Sequence, residues 1–124
     1  MTRPALSTSL AALVGIAFVL AGIFGFLADS DGKLFGTFQV SLVHNFLHLL
    51  FGVLGLVLAR TAVGARMFLT GGGAVYVALW VVGVIGAGDW IPVNTADNWL
   101  HFLLGLGMLA AGVAVARGAR PAAT

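Results

Sequence analysis

Three histidines are the side chains best suited to chemistry in this chain of 124 residues, which has no cysteine, no glutamate and four Asp. His44 and His48 are four residues apart, as are Asp97 and His101. On a helix that spacing puts each pair on one face. Three imidazoles and one carboxylate form a plausible tetrahedral set for zinc, and imidazole also suits copper. A second chemistry uses His48 and His101 alone, as axial ligands of a haem or of a (bacterio)chlorophyll-type pigment held between two helices. Gly52 and Gly105, each four residues further on, would then clear space for a flat ring. A third reading is structural. Asn45, Asp97 and Asn98 accept from unpaired backbone N–H groups where a helix begins. His48 and His101, one turn deeper, donate to a carbonyl or to the Asn of the other segment, at about 0.6–2 kcal/mol per bridge. All three readings stay open on the sequence.

Covalent catalysis has little to work with. No nucleophile–His–acid series is visible, thiolate chemistry is excluded, and Ser7 and Ser9 fall near the opposite end of the helices from the histidines. Gly71-Gly72-Gly73 matches a phosphate loop only in composition and lacks the Lys-Ser/Thr such chemistry needs. It reads as close helix packing or a flexible point.

These residues must be positioned by helices in lipid. The chain is 60% hydrophobic and 8% charged, with mean hydropathy +1.10. That excludes an ordinary soluble domain, at about 25% charged, and a disordered chain. The cations are scattered singly, which excludes a nucleic-acid surface. Charge-free stretches of 25, 26, 22 and 19 residues lie between Arg3 and Asp29, Lys33 and Arg60, Arg66 and Asp89, and Asp97 and Arg117. A span needs about 20 apolar residues. The reading is an all-α four-helix transmembrane bundle, a single integral membrane domain over 1–124 with spans near 5–28, 40–59, 67–88 and 97–117. The first apolar run is too long for a typical signal peptide, and Phe26 sits where a small residue is wanted before cleavage, so a retained helix is expected.

With four spans, Arg3, Arg60, Arg66, Arg117 and Arg120 share one side, against Lys33, Asp29, Asp31, Asp89 and Asp97 on the other. Positive charge marks the cytoplasmic side, so both termini are expected inside a bacterial-type inner (plasma) membrane. Residues 28–33, 61–65 and 89–95 read as the connections, with Trp90 and Trp99 as interface anchors. Thr37, Gln39 and Ser41 suit capping of helix 2. Tyr76 and Trp80 read as a packed aromatic face. Ser7-Ala11-Gly15, Ala17-Ala21-Gly25 and Ala110-Ala114-Gly118 are small-residue stripes of the kind that let lipid-embedded helices approach closely.

Two segments read alike: His44-Asn45-Phe46-Leu47-His48-Leu49-Leu50-Phe51-Gly52 and Asp97-Asn98-Trp99-Leu100-His101-Phe102-Leu103-Leu104-Gly105, at a constant offset of 53. Both open an even-numbered helix, so helices 1–2 and 3–4 would be parallel hairpin repeats. The frame Asn-x-x-His-x-x-x-Gly, its echo and Ile91-Pro92-Val93-Asn94-Thr95-Ala96 resemble a family of small four-span membrane proteins, common in actinobacteria, known as a domain of unknown function. The resemblance implies fold and location, and no activity.

The functional expectation is a small accessory membrane protein, a homo-oligomer or a subunit of a larger complex, with cofactor binding as the alternative. From His48 to Arg60 is about 18 Å of helix, and from His101 to Arg117 about 24 Å. One ligand can bridge both histidines only if the inner helix ends are staggered.

Overall fold

The structure, a computed structural model, describes residues 3–28, 32–86 and 93–118. Asp29, Asp31, Asp89, Trp90, Ile91, Pro92 and Arg120, used above for turn, anchor and charge readings, lie outside the described residues. Four helices carry the fold: α1 Arg3–Gly25, α2 Leu42–Leu58, α3 Ala62–Val84 and α4 Thr95–Gly118. α1, α3 and α4 are long and apolar enough to cross a membrane, whereas α2 has 17 residues. Helices suit such sequences because each satisfies its own backbone hydrogen bonds where no water can.

The helix ends obey local chemistry. Ser41 caps α2 by accepting from the His44 N–H at 3.2 Å. Thr61 caps α3 by accepting from Gly64 at 3.0 Å. α3 therefore starts at Ala62, and only Ala59–Thr61 joins it to α2, so Val63–Ala65 are helical and not part of a connection. After Ile85, Gly86 takes φ +72 and ends α3 in the left-handed conformation that favours glycine.

Between α1 and α2 lies an element the sequence reading took for turn and helix start. Lys33–Leu34 (β1) pairs antiparallel with Phe38–Gln39 (β2). Phe35 and Gly36 turn the corner at φ +54 and +68, as a hairpin turn of matching twist requires. Thr37 and Gln39 thus belong to this hairpin, where the Thr37 hydroxyl donates to Phe35 O and Gln39 Nε2 to Gly32 O. Only Ser41 of the three expected capping residues caps α2.

Polar side chains are buried beside an apolar core, and large apolar side chains face outward. Ser7, His44, Asn45, Asp97 and His101 are buried, while Leu13, Leu50 and Leu103 are each more than 60% exposed. Apolar outward faces belong in lipid, so packing cannot rest on hydrophobic exclusion from water. It rests on backbone contact instead. α1 packs on α2, and α3 on α4. A Cβ on Gly15 would lie 3.0 Å from Gly52 O, and one on Gly52 would lie 2.7 Å from Gly15 O. In the other pair, a Cβ on Gly73 would lie 2.9 Å from Gly105 O, and one on Gly105 would lie 3.1 Å from Gly73 O. Each glycine Cα therefore rests on the partner's carbonyl, where weak C–H···O contacts add about 0.5–1 kcal/mol.

Of the small-residue stripes, Ser7-Ala11-Gly15 is buried as expected. Ala17-Ala21-Gly25 is mixed: Gly25 is buried against Asn45, but Ala17 is exposed. Ala110 and Ala114 face outward, because the inward face of α4 is set by Asp97, His101, Gly105, Met108, Gly112 and Val115. Gly72 and Gly73 pack closely, with Gly72 beneath Met108 and Phe51, while Gly71 has open space beside it. The two helix pairs meet through Phe18, Phe51, Phe68 and Tyr76, with ring centroids 4.7–5.2 Å apart.

Gly73→Val should force α3 from α4 and cost about 1–3 kcal/mol, the range of core overpacking. Gly71→Val, two residues away and facing open space, should be nearly neutral. Thermal unfolding in detergent compares them, and equal stability of the two variants would refute backbone contact as the packing device.

Candidate functional site

The first turns of α2 and the start of α4 bring all three histidines together. Their rings offer ligand nitrogens that all lie within 4.8 Å of one another. The His44 and His48 ring centroids are 4.3 Å apart, and His44 and His101 are 6.1 Å apart. His44 and His48 share a face of α2 because they are four residues apart, and His101 comes across from α4. The stagger required for this is present: the end of α2 at Leu58, carried over by the offset of 53, falls at residue 111, and α4 continues to Gly118.

The surroundings of the imidazoles are aromatic. Phe18 lies 5.6 Å from the His48 ring and Tyr76 lies 5.4 Å from the His101 ring. Tyr76 thus does more than pack, and Phe18 joins it at the site; their signal in the sequence is i to i+4 register with the buried glycines, visible only once the helix faces are known. Trp80 packs on Phe102, as an aromatic face would. The exposed Trp99 also lies against Phe102, near the start of α4.

Nδ1 of His44 and Nδ1 of His48 are buried and have no hydrogen-bond partner. Such nitrogens are costly in an apolar interior unless something pairs with them. The hydrogen bonds expected of helix-joining histidines are not made at these atoms. Around a tetrahedral ion with ligand nitrogens at about 2.0–2.1 Å, neighbouring nitrogens lie about 3.3 Å apart.

Asp97 stands apart from this cluster. Its Oδ2 accepts from the N–H of Asn94 at 2.8 Å and from the N–H of Gln39 at 3.2 Å. The Asp97 N–H in turn donates to Asn94 Oδ1 at 3.0 Å. This reciprocal pair is a capping box at the start of α4. Asn94 Nδ2 also donates to Thr37 O at 2.7 Å, so one box ties the β-hairpin to α4. Asp97 thus accepts from two backbone N–H groups at Oδ2, whereas Asn45 Oδ1 and Asn98 Oδ1 are buried without a hydrogen-bond partner, so the capping expected of these two residues is not made.

Asn45 and Asn98 each turn toward the preceding helix. Gly25 backs onto the Asn45 amide, and Gly83 onto the Asn98 amide. Neither Asn side chain reaches the histidine of the other segment by a hydrogen bond among the described residues. Gly52 and Gly105 face the backbones of α1 and α3 at Val19 and Val77, so the space above them is filled by protein and clears no room for a flat ring. With His44 beside His48 as well, a haem or chlorophyll held between His48 and His101 draws no support from this arrangement.

Beside the imidazoles a chamber of about 540 Å³ opens between α1, α4 and the β-hairpin. Its walls are apolar, and its polar side chains are the three histidines and Asp97.

Residues 9–114 match the family described as a domain of unknown function (DUF4383), and the chain belongs to that family. No curated protein and no solved structure matches it.

Asp97→Ala should cost about 1–2 kcal/mol, the upper part of the range for a lost helix cap, and should free the hairpin from α4. Tryptic cleavage after Lys33 reports the second effect and should speed up in Asp97→Ala but little in Asp97→Asn, which keeps an acceptor oxygen. Unchanged cleavage in both would show that the box does not hold the hairpin.

Proposed function

We propose that this chain is a four-span membrane protein that holds a first-row transition metal ion, zinc or copper, on His44, His48 and His101. The observation that carries the proposal is the convergence of the three imidazoles, with two buried nitrogens lacking any hydrogen-bond partner. Three neutral imidazoles fit the ligand preferences of zinc and copper and leave a fourth position open. A purely accessory subunit would need these histidines to bridge helices by hydrogen bonds, and the partnerless Nδ1 atoms count against that role.

The same proposal includes two hairpin repeats, α1–α2 and α3–α4. Its support is contact matching contact: Gly15 on Gly52 beside Gly73 on Gly105, Gly25 on Asn45 beside Gly83 on Asn98, and Phe18 at His48 beside Tyr76 at His101. Across the pairs the offsets are constant, 58 for the odd helices and 53 for the even ones. In this reading α2, the shortest of the four helices, spans together with the segment that leads into it. Arg60, Arg66 and Arg117 at the other end support a cytoplasmic location for both termini.

Protein purified from metal-replete cells without a polyhistidine tag should carry close to one equivalent of zinc or copper by elemental analysis. His48→Ala should lose it, with affinity for added metal falling by more than the 10–100-fold typical of an outer-shell change, while Asp97→Asn should keep it. A wild-type protein that is metal-free and binds neither ion would refute the proposal.

Because the chain has no cysteine, topology can be read from single thiols. Thr37→Cys should react with a membrane-impermeant maleimide on intact cells, and Arg60→Cys only after permeabilisation. The reverse pattern would overturn the orientation.

A further inference from the structure

We infer that the chamber between α1, α4 and the β-hairpin binds a lipid-soluble isoprenoid quinone or quinol, its ring oxygen directed at the imidazole cluster. The inference deepens the metal reading, since the head of the ligand meets the open position of that centre.

Five observations carry it. The chamber, about 540 Å³, falls in the range of small-molecule sites, about 300–1,000 Å³. Its polarity is that of an amphiphile: apolar walls, with His44, His48, His101 and Asp97 as the polar groups. Phe18, Phe24, Phe35 and Phe38 line it, and aromatic walls suit a planar ring better than a flexible acyl chain. Several lining residues are also outward-facing, Leu13 at 63% exposure and Phe35 at 75%. The opening therefore lies on the apolar outer face, and a ligand reaches it by way of lipid.

The fifth observation is the asymmetry of the chamber. At the offset of 53, Leu104 on the chamber wall corresponds to Phe51. Phe51 fills its own side, packed between Phe18, Phe68 and Tyr76. At the offset of 58, Val14 of the chamber wall corresponds to Gly72, which lies beneath Phe51. One side of the bundle is closed by an aromatic seated on a glycine; the other has smaller side chains on α4 and stays open. Loose packing of the helices in general would leave both sides open.

Leu104→Phe transfers the closing aromatic to the open side without touching a histidine. Wild-type protein in nanodiscs should bind a short-chain naphthoquinone in near one-to-one stoichiometry, and organic extraction of protein purified gently from its native membrane should yield a quinone. Leu104→Phe should weaken binding at least tenfold, while its metal content stays that of the wild type. Ala21→Phe, which fills the chamber from α1, serves if Leu104→Phe does not fold. Quinone binding that survives both substitutions is partition into lipid, and overturns the inference. So does a chamber found to retain a stoichiometric phospholipid that the naphthoquinone does not displace. Wild-type protein that holds metal but binds no quinone refutes this inference and leaves the metal centre standing. Quinone binding lost in Leu104→Phe, by protein that binds no metal, refutes the metal centre and leaves the chamber standing.

Discussion

The direct contact of helix backbones at paired glycines is the constraint on which the rest of the structure depends. In lipid no water drives apolar surfaces together, so helices associate only where they can approach closely enough for dispersion and weak polar contacts to accumulate. Gly15 on Gly52 and Gly73 on Gly105 provide that approach once in each helix pair. Each contact also fixes rotation and register, because a carbonyl seated on a Cα allows little sliding. With Gly52 turned to α1, the residue one turn earlier, His48, must face Phe18 and the bundle interior. With Gly105 turned to α3, His101 must do the same beside Tyr76. The positions of the imidazoles thus follow from glycines that touch no ligand.

That placement creates the chemical tension of the fold. A span with so few polar groups can tolerate those it has only by pairing them. Asp97 shows the ordinary solution, accepting two backbone N–H bonds that start α4 and hold the hairpin. His44 and His48 do not follow it, since each keeps a buried Nδ1 with no partner. Asn45 and Asn98 share this state through a buried Oδ1, and polar groups left unmatched inside a protein are where function is expected.

Much of this was legible in the sequence, for reasons that residues make plain. The four apolar stretches stand out because ten charges punctuate them, and the constant offset of 53 marked His48 and His101 as mates before any coordinates. Helix ends were less legible. Thr61 starts α3 by its hydroxyl, a local event that hydropathy averages away, and Phe35 at positive φ is a poor advertisement for a hairpin turn. The inward faces were only half legible. A small-residue stripe announces that close packing is possible, and Ser7-Ala11-Gly15 uses it, but Ala110 and Ala114 do not, since α4 already spends its inward face on His101, Gly105 and Met108. The role of Gly52 and Gly105 was misread for the same reason. A glycine near a histidine signals room without saying whether a ring or another helix takes it.

The site lies where the two hairpins differ. Two matched halves alone would supply two matched histidines and two matched gaps. His44 and Asp97 occupy the corresponding position in the two halves, and one turns to the imidazole cluster while the other caps a helix and anchors the β-hairpin. That hairpin, inserted only between α1 and α2 among the described residues, roofs the chamber beside α1. Phe51 and Leu104 diverge one turn below the histidines, closing one gap and leaving the other open. The matching glycine contacts of the two helix pairs turn His48 and His101 to the same cluster. The third imidazole, the roof and the open wall all belong to one side among the described residues, so the differences between the two helix pairs, more than their likeness, give the cluster an accessible face there.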